Sequence, residues 1–214
     1  MELILIFLTA ITLLVFFYYQ DRNREPLKVL IEAFILGFAI SLQIEWLQSH
    51  FQFTTSVLIH AFILAGLIEE AVKLGILRVT LFRNPHFEKR VDGITYAVFV
   101  SIGFAVAENL FLALTIEEAI VRSFTAIPAH ALFGVSMGFY LAKYKFDRKL
   151  KWLGLALVVP ALLHGVYNFL IMVDIPIMLL LFIPYVILLW IKGLLQLNKF
   201  NRKIGDKNEE LDKK

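Results

Sequence analysis

Residues Glu69-Glu70-Ala71-Val72-Lys73 put two carboxylates and an ammonium into one short stretch, inside an apolar run from about Thr54 to Thr80. A charge at the centre of a bilayer costs ~2.5–3.5 kcal/mol on insertion scales, so ionisable groups there are functional candidates by default. On a helix at ~100° per residue, with Glu69 at zero, Glu70 lies near ~100° and Lys73 near ~40°. The ammonium therefore projects between the two carboxylates. Helical i,i+4 spacing favours pairing Lys73 with Glu69, which makes Glu70 the less neutralised carboxylate and the expected base. The plainer alternative is an ion pair that only locks helix packing. Glu108-Asn109, His130, His164 and Asn168 stand inside other apolar runs.

Together these residues form an inventory for activating water. Glu69 or Glu70 would act as general base. His130, His164 and Asn168 would stabilise the oxyanion of a tetrahedral intermediate. Alternatively, Glu70, Glu108, His130 and His164 are candidate ligands for a divalent metal such as zinc, which lowers the pKa of its bound water towards ~7. Lys73, Glu108 and Asn109 would support the site. Each group also has a structural use: a membrane His can bond a neighbouring carbonyl, and Asn109, Asn168 and Glu108 can bridge spans. There is no His-Glu-x-x-His and no pair of membrane Asp residues. The chain has no Cys, which excludes thiolate catalysis, disulfides and Cys-ligated metal.

The elements that must position these groups are membrane helices. The chain of 214 residues is 59% hydrophobic and 18% charged, with a mean hydropathy of +0.76; soluble domains carry ~25% charge. The expected fold is all-α, a polytopic membrane helix bundle of about seven spans near residues 3–19, 27–47, 54–80, 93–114, 119–142, 152–173 and 177–197. The first start lacks the basic n-region of a signal peptide and ends in aromatic residues, so it reads as an uncleaved span. Lys and Arg cluster at 22–28, 83–90, 143–151 and in the tail, and are missing from 48–53, 115–118 and 174–176. By the positive-inside rule the N-terminus is outside and the C-terminus cytoplasmic. The division is a membrane-embedded domain, 1–197, and a hydrophilic cytoplasmic tail, 198–214. The modest net charge of +3 sits beside the spans, which suits the lipid bilayer and not nucleic acid.

At ~1.5 Å per residue, Glu69 and Glu70 lie ~20–25 Å from the outer start of their span, His130 ~18 Å, His164 ~14 Å and Glu108 ~10 Å from theirs. One polar pocket in the middle to outer half of the membrane satisfies all of them. Gly134-x-x-x-Gly138 and Gly103-x-x-x-Ala107 are small-residue patterns for close helix approach. Pro128 and Pro160 would kink their spans or free carbonyls near the histidines. Glu45, His50 and His60 are expected near span ends, and Glu117-Glu118 in a solvated turn.

In its order of motifs the chain resembles the PrsW family of bacterial membrane proteases. The carrying segments are Glu69-Glu70-Ala71-Val72-Lys73, Asp92-Gly93-Ile94-Thr95-Tyr96, Gly103-Phe104-Ala105-Val106-Ala107-Glu108-Asn109, His130-Ala131-Leu132-Phe133-Gly134 and Pro160-Ala161-Leu162-Leu163-His164-Gly165. It is more distantly similar to the CAAX-prenyl protease/Abi superfamily, whose last motif His164-x-x-x-Asn168 fits; the cation, however, stands at Lys73 where the superfamily places an Arg one position later. The resemblance implies a multi-pass bacterial inner-membrane endopeptidase. It further implies the first, site-1 cut in a single-pass membrane anti-sigma factor on its extracytoplasmic side, which leads to sigma factor activation in a stress response. Two rivals are an ion-coupled transporter using the Glu/Lys/His set as a proton relay, and a non-catalytic Abi-like membrane protein. No inverted repeat supports the transporter.

Overall fold

The structure, a computed structural model, describes residues 2–20, 24–50, 56–112, 115–173 and 175–211. The expected connection at 51–53, the start of the third span at Thr54 and the turn residue Asp174 lie outside the described residues, as does the side chain of His50. Among the described residues there is no strand. Helices α1 (Glu2–Gln20), α2 (Leu27–His50), α5 (Arg90–Leu112), α6 (Ile116–Asp147), α7 (Leu150–Met172) and α8 (Pro176–Leu211) are continuous. Each is long and apolar enough to cross a membrane. The remaining crossing is a composite rod: α3 (Val57–Ile59), a π-helical stretch π1 (His60–Glu69), α4 (Glu70–Ile76) and a second π-helical stretch π2 (Leu77–Leu81).

Several boundaries differ from the expectation for local chemical reasons. α6 starts at Ile116 and not at Ala119, because Thr115 and Glu118 form a reciprocal cap. The Thr115 hydroxyl accepts from the Glu118 N–H at 3.2 Å, and the Thr115 N–H donates to Glu118 Oε2 at 3.0 Å. Glu118 is thus a capping residue as well as part of a turn. α5 starts three residues early, at Arg90, where Asp92 Oδ2 accepts the N–H groups of Glu88 at 2.9 Å and Lys89 at 2.6 Å. α8 runs without a break through the hydrophilic segment to Leu211, since that segment contains good helix formers and no Pro after Pro184.

α5 is the central post, buried on nearly every face from Val91 to Ala107. Small residues let its neighbours close on it. A Cβ at Gly37 on α2 would lie 1.9 Å from the Val100 carbonyl oxygen, and one at Gly103 on α5 would lie 2.1 Å from that of Phe34. These two glycines make α2 and α5 touch backbone to backbone, the arrangement expected of small-residue seams in lipid. On the other side of α5, Gly134 and Gly138 of α6 face Ala97, Ser101 and Gly93. The outer faces of α1 and α8 expose Leu3, Ile4, Leu8, Leu180, Ile183 and Leu188, a surface for lipid chains.

The two ends of the bundle differ. At one end Arg90 pairs with Asp147 at 2.5 Å and Lys89 with Glu25 at 3.4 Å, while the Tyr96 hydroxyl also donates to Glu25. There too Lys145 donates to the Phe82 carbonyl at 2.7 Å, and the Asn201 amide donates to the Gln20 carbonyl at 3.1 Å. The described parts of the basic segments therefore meet at a single end. Replacing either seam glycine forces α2 away from α5. We expect Gly37→Val and Gly103→Val each to cost at least ~1–3 kcal/mol, the usual range for overpacking. Equilibrium unfolding in detergent micelles checks this; wild-type stability in both variants would contradict the seam.

Candidate active site

Glu69 and Glu70 sit at the junction where the wide turns of π1 give way to α4. Inserted wide turns of this kind recur at functional sites. Lys73, one turn on, is fully buried. Its ammonium donates to Glu70 Oε1 at 2.8 Å and to His130 Nδ1 at 3.0 Å, and lies 4.0 Å from the centre of the Phe104 ring. Glu69 Oε2 is farther away, at 3.8 Å. The closer, hydrogen-bonded ion pair is thus with Glu70, and the Glu69 pair that the i,i+4 spacing favoured is the longer one. Both spacings are allowed on a helix; the histidines arriving from α6 and α7 select between them.

An ammonium can only donate, so His130 Nδ1 must accept and its proton sits on Nε2. That nitrogen is 2.8 Å from Glu108 Oε2. His164 Nδ1 lies 3.0 Å from Glu70 Oε1. With Nδ1–H donating to this carboxylate, His164 keeps a lone pair on Nε2. The two imidazoles meet edge to face with ring centres 4.8 Å apart, and Phe133 stacks on His164 at 4.8 Å. Glu70 therefore orients His164, and Lys73 orients both Glu70 and His130.

Glu69 is in a different position. Oε2 of each glutamate lacks a hydrogen-bond partner among the described residues, but only Glu69 lines a cavity, of about 230 Å³. Glu108, His130 and Asn168 share that cavity with it. Glu70 is fully buried and does not line it. Gln48 near the end of α2, His60 at the start of π1, Leu112 ending α5 and Met172 ending α7 also line the cavity. The cavity therefore lies toward the end of the bundle opposite the basic one.

Of the residues singled out by sequence, Glu69, Glu70, Lys73, Glu108, His130 and His164 form one connected cluster. Asn168 faces the same cavity without joining their hydrogen bonds. Asn109 stands one step back: its amide donates to the Ala105 carbonyl at 2.6 Å, and its Oδ1 accepts from Arg122 Nε at 2.6 Å. Arg122 also binds Glu108 Oε1 at 2.8 Å and lines the cavity. Sequence reasoning gave Arg122 no role, although a lone Arg in an apolar run is itself a signal. Glu45, expected near the headgroups, lines the cavity as well.

A buried acid–imidazole cluster opening on an internal cavity, inside a bundle of membrane-crossing helices, defines a polytopic membrane protein equipped for acid–base chemistry. The chain belongs to the PrsW family: the profile of the PrsW family intramembrane metalloproteases matches residues 25–191. Among curated relatives, Protease PrsW of Clostridioides difficile (strain 630) is 36% identical, covering 94% of this chain and 92% of that one. Protease PrsW of Oceanobacillus iheyensis is 38% identical over 90% and 92%, and Protease PrsW of Bacillus subtilis (strain 168) is 35% identical over 89% and 91%. No solved structure matches the chain significantly. The protein is accordingly a multi-pass bacterial membrane protease.

The family description implies a metal; Glu69 and His164 fit one, and His130 fits it once Lys73 releases Nδ1. Glu69, His130 and His164 each offer a ligand atom, all within 4.8 Å of one another and all buried. Two His and one carboxylate beside an open cavity match the three-ligand pattern of catalytic zinc. Glu70 accepting from His164 Nδ1 is the outer carboxylate such a ligand normally has. Glu69 takes the place in this set that sequence reasoning gave to Glu70, because Glu69 alone of the pair faces the cavity.

The ammonium of Lys73 is the neutralising charge for Glu70 in a region without water. Breaking a buried pair typically costs ~3–5 kcal/mol, whereas replacing both partners costs far less. Lys73→Met should therefore be strongly destabilising, and Lys73→Met combined with Glu70→Gln should recover much of the loss. A double-mutant cycle on unfolding in detergent reads the coupling; additive effects would contradict the pairing.

Proposed function

We propose that this protein cuts a membrane-anchored protein substrate by activating water at Glu69, in the half of the bilayer away from the cytoplasm. The observation that carries the reading is the Glu69 carboxylate, close to His130 and His164 and on the wall of a cavity of about 230 Å³, room enough for water and a peptide segment. Glu69 would take a proton from the attacking water. That same proton would then reach the leaving amine from Glu69, relayed by the free Nε2 of His164, which Glu70 holds in place. Asn168, on the facing wall, would donate to the developing oxyanion. In the alternative, metal-bound form Glu69, His130 and His164 would instead be ligands to a divalent metal such as zinc, which would acidify water and polarise the scissile carbonyl. One observation favours a reading without metal: the Lys73 ammonium already occupies His130 Nδ1, supplying positive charge where a metal would.

The orientation we propose has the N-terminus outside and the C-terminus in the cytoplasm, with residues 1–197 forming the protease domain and 198–214 a cytoplasmic tail. Its support is the gathering of the basic segments at one end, which the positive-inside rule assigns to the cytoplasm. The cavity then opens toward the outside. That placement agrees with a site-1 cut on the extracytoplasmic side of a single-pass anti-sigma factor, the substrate we propose.

Two measurements test this. Purified protein in lipid nanodiscs is incubated with a tagged single-pass substrate. Glu69→Gln and His164→Ala should lower cleavage by ~10²–10⁴, the usual contribution of an acid–base group, and Asn168→Ala by up to ~10²–10³. Glu69→Gln cutting like wild type would sink the assignment. Full activity of protein shown by elemental analysis to be metal-free would select the reading without metal. For orientation, alkaline phosphatase fused after Thr115 should be active and a fluorescent protein fused after Lys214 should glow; the reverse pattern would invert the topology.

A further inference from the structure

A second polar cluster lies away from the active site, between α6 and α8. Lys192 donates to the Ser136 hydroxyl at 2.5 Å, and that hydroxyl donates to Gln196 Oε1 at 3.0 Å. Ser136 and Gln196 are buried and Lys192 is half-buried. An ammonium has three N–H donors, and among the described residues one of them is used. Among the described residues no carboxylate lies within ion-pair distance of Lys192 or of Lys199 two turns on. A cation on a membrane helix with no counter-charge among the described residues is a site where an anion from outside the chain can bind.

The surroundings specify which counter-charge fits. Lys192, Gln196 and Lys199 line an open groove of about 400 Å³, whose other wall is Phe139 and Tyr140 of α6. Along α8 the groove continues over Leu188, Ile191 and Leu195, which are 61%, 50% and 65% exposed. At ~1.5 Å per residue, Lys192 stands ~24 Å and Lys199 ~35 Å from the start of α8. The edge of a ~30 Å hydrocarbon core falls between them. Tyr140 stacks on Trp152 at 6.1 Å, and the Lys143 ammonium lies 4.0 Å from the Trp152 ring. Tyr, Trp and Lys at one level are the marks of the membrane–water boundary. Lys199 therefore stands at headgroup depth, Lys192 lies about one turn inside the hydrocarbon edge with a side chain long enough to snorkel toward it, and Leu188 and Ile191 lie at acyl-chain depth.

We propose that this groove binds one anionic phospholipid, its phosphate held by Lys192 and Lys199 and an acyl chain lying over Leu188, Ile191 and Leu195. Basic pockets between helices at this depth recognise such headgroups. A zwitterionic lipid fits less well, because its ammonium would stand beside two lysines. A bound lipid bridges α8 to α6, the helix that carries His130 six residues from Ser136.

The test is native mass spectrometry of the purified full-length protein, titrated in detergent with phosphatidylglycerol or phosphatidylcholine. Wild type should retain a single phosphatidylglycerol in preference to phosphatidylcholine. Lys199→Gln, a change on an exposed face, should weaken that binding about five-fold, and the pair Lys192→Met with Lys199→Gln by roughly 25-fold. Binding of phosphatidylcholine should not change, which separates loss of the site from loss of the fold. Equal retention of the two lipids by wild type, undiminished phosphatidylglycerol binding by the double variant, or a lipid-free dimer that buries the α8 face would each overturn the proposal.

Discussion

The ammonium of Lys73 is the point on which the site depends. A fully buried cation must find its anion and its remaining hydrogen-bond partners inside the protein. Here the partners come from three separate places: Glu70 on its own rod, His130 on α6 and the ring face of Phe104 on α5. His164 on α7 joins through Glu70. The need to neutralise one charge thus fixes the rotation of the composite rod against its neighbours. It also divides two adjacent glutamates. Glu70 becomes part of the frame, and Glu69 is left on the cavity wall.

The rest of the bundle makes that arrangement tenable. Without water in the bilayer core, irregular backbone is tolerated only where protein covers it or a cavity adjoins it. The π-helical turns of π1 satisfy both conditions: they pack along α7, and the cavity begins at their end. Gly66 and Gly165 allow this approach, since a Cβ on Gly66 would lie 2.7 Å from the Ala161 carbonyl oxygen. Polar functions are also separated by depth. Ion pairs that tie loops together collect at the basic end, and the acid–base cluster opens toward the other.

Much of this was legible in the sequence because lipid imposes a simple code. Long apolar runs had to be helices, basic residues marked one end, and carboxylates and imidazoles inside the runs had to meet. The small-residue patterns around Gly103 and Gly134 named the right helix seams. What was not legible depended on partners far away in sequence. Helical geometry gave Lys73 two equivalent choices, and only the arrival of His130 and His164 resolved them in favour of Glu70. The π-helical turns left no trace in hydropathy, since widening a turn changes no residue type. Two features were readable and passed over: the Thr115-x-x-Glu118 cap, and Arg122 as the partner of Glu108 and Asn109. Both are short polar signals at the end of a long apolar run, where span-finding by hydropathy is least sensitive.

The central claim is that Glu69 faces the cavity and Glu70 is sealed behind it. The absence of native cysteine permits a direct measurement. Single variants Glu69→Cys and Glu70→Cys, in membranes, are treated with a small water-soluble methanethiosulfonate reagent, and the modified fraction is followed with time. The account predicts rapid modification at position 69 and protection at position 70. Modification at position 70 with protection at position 69 would contradict it.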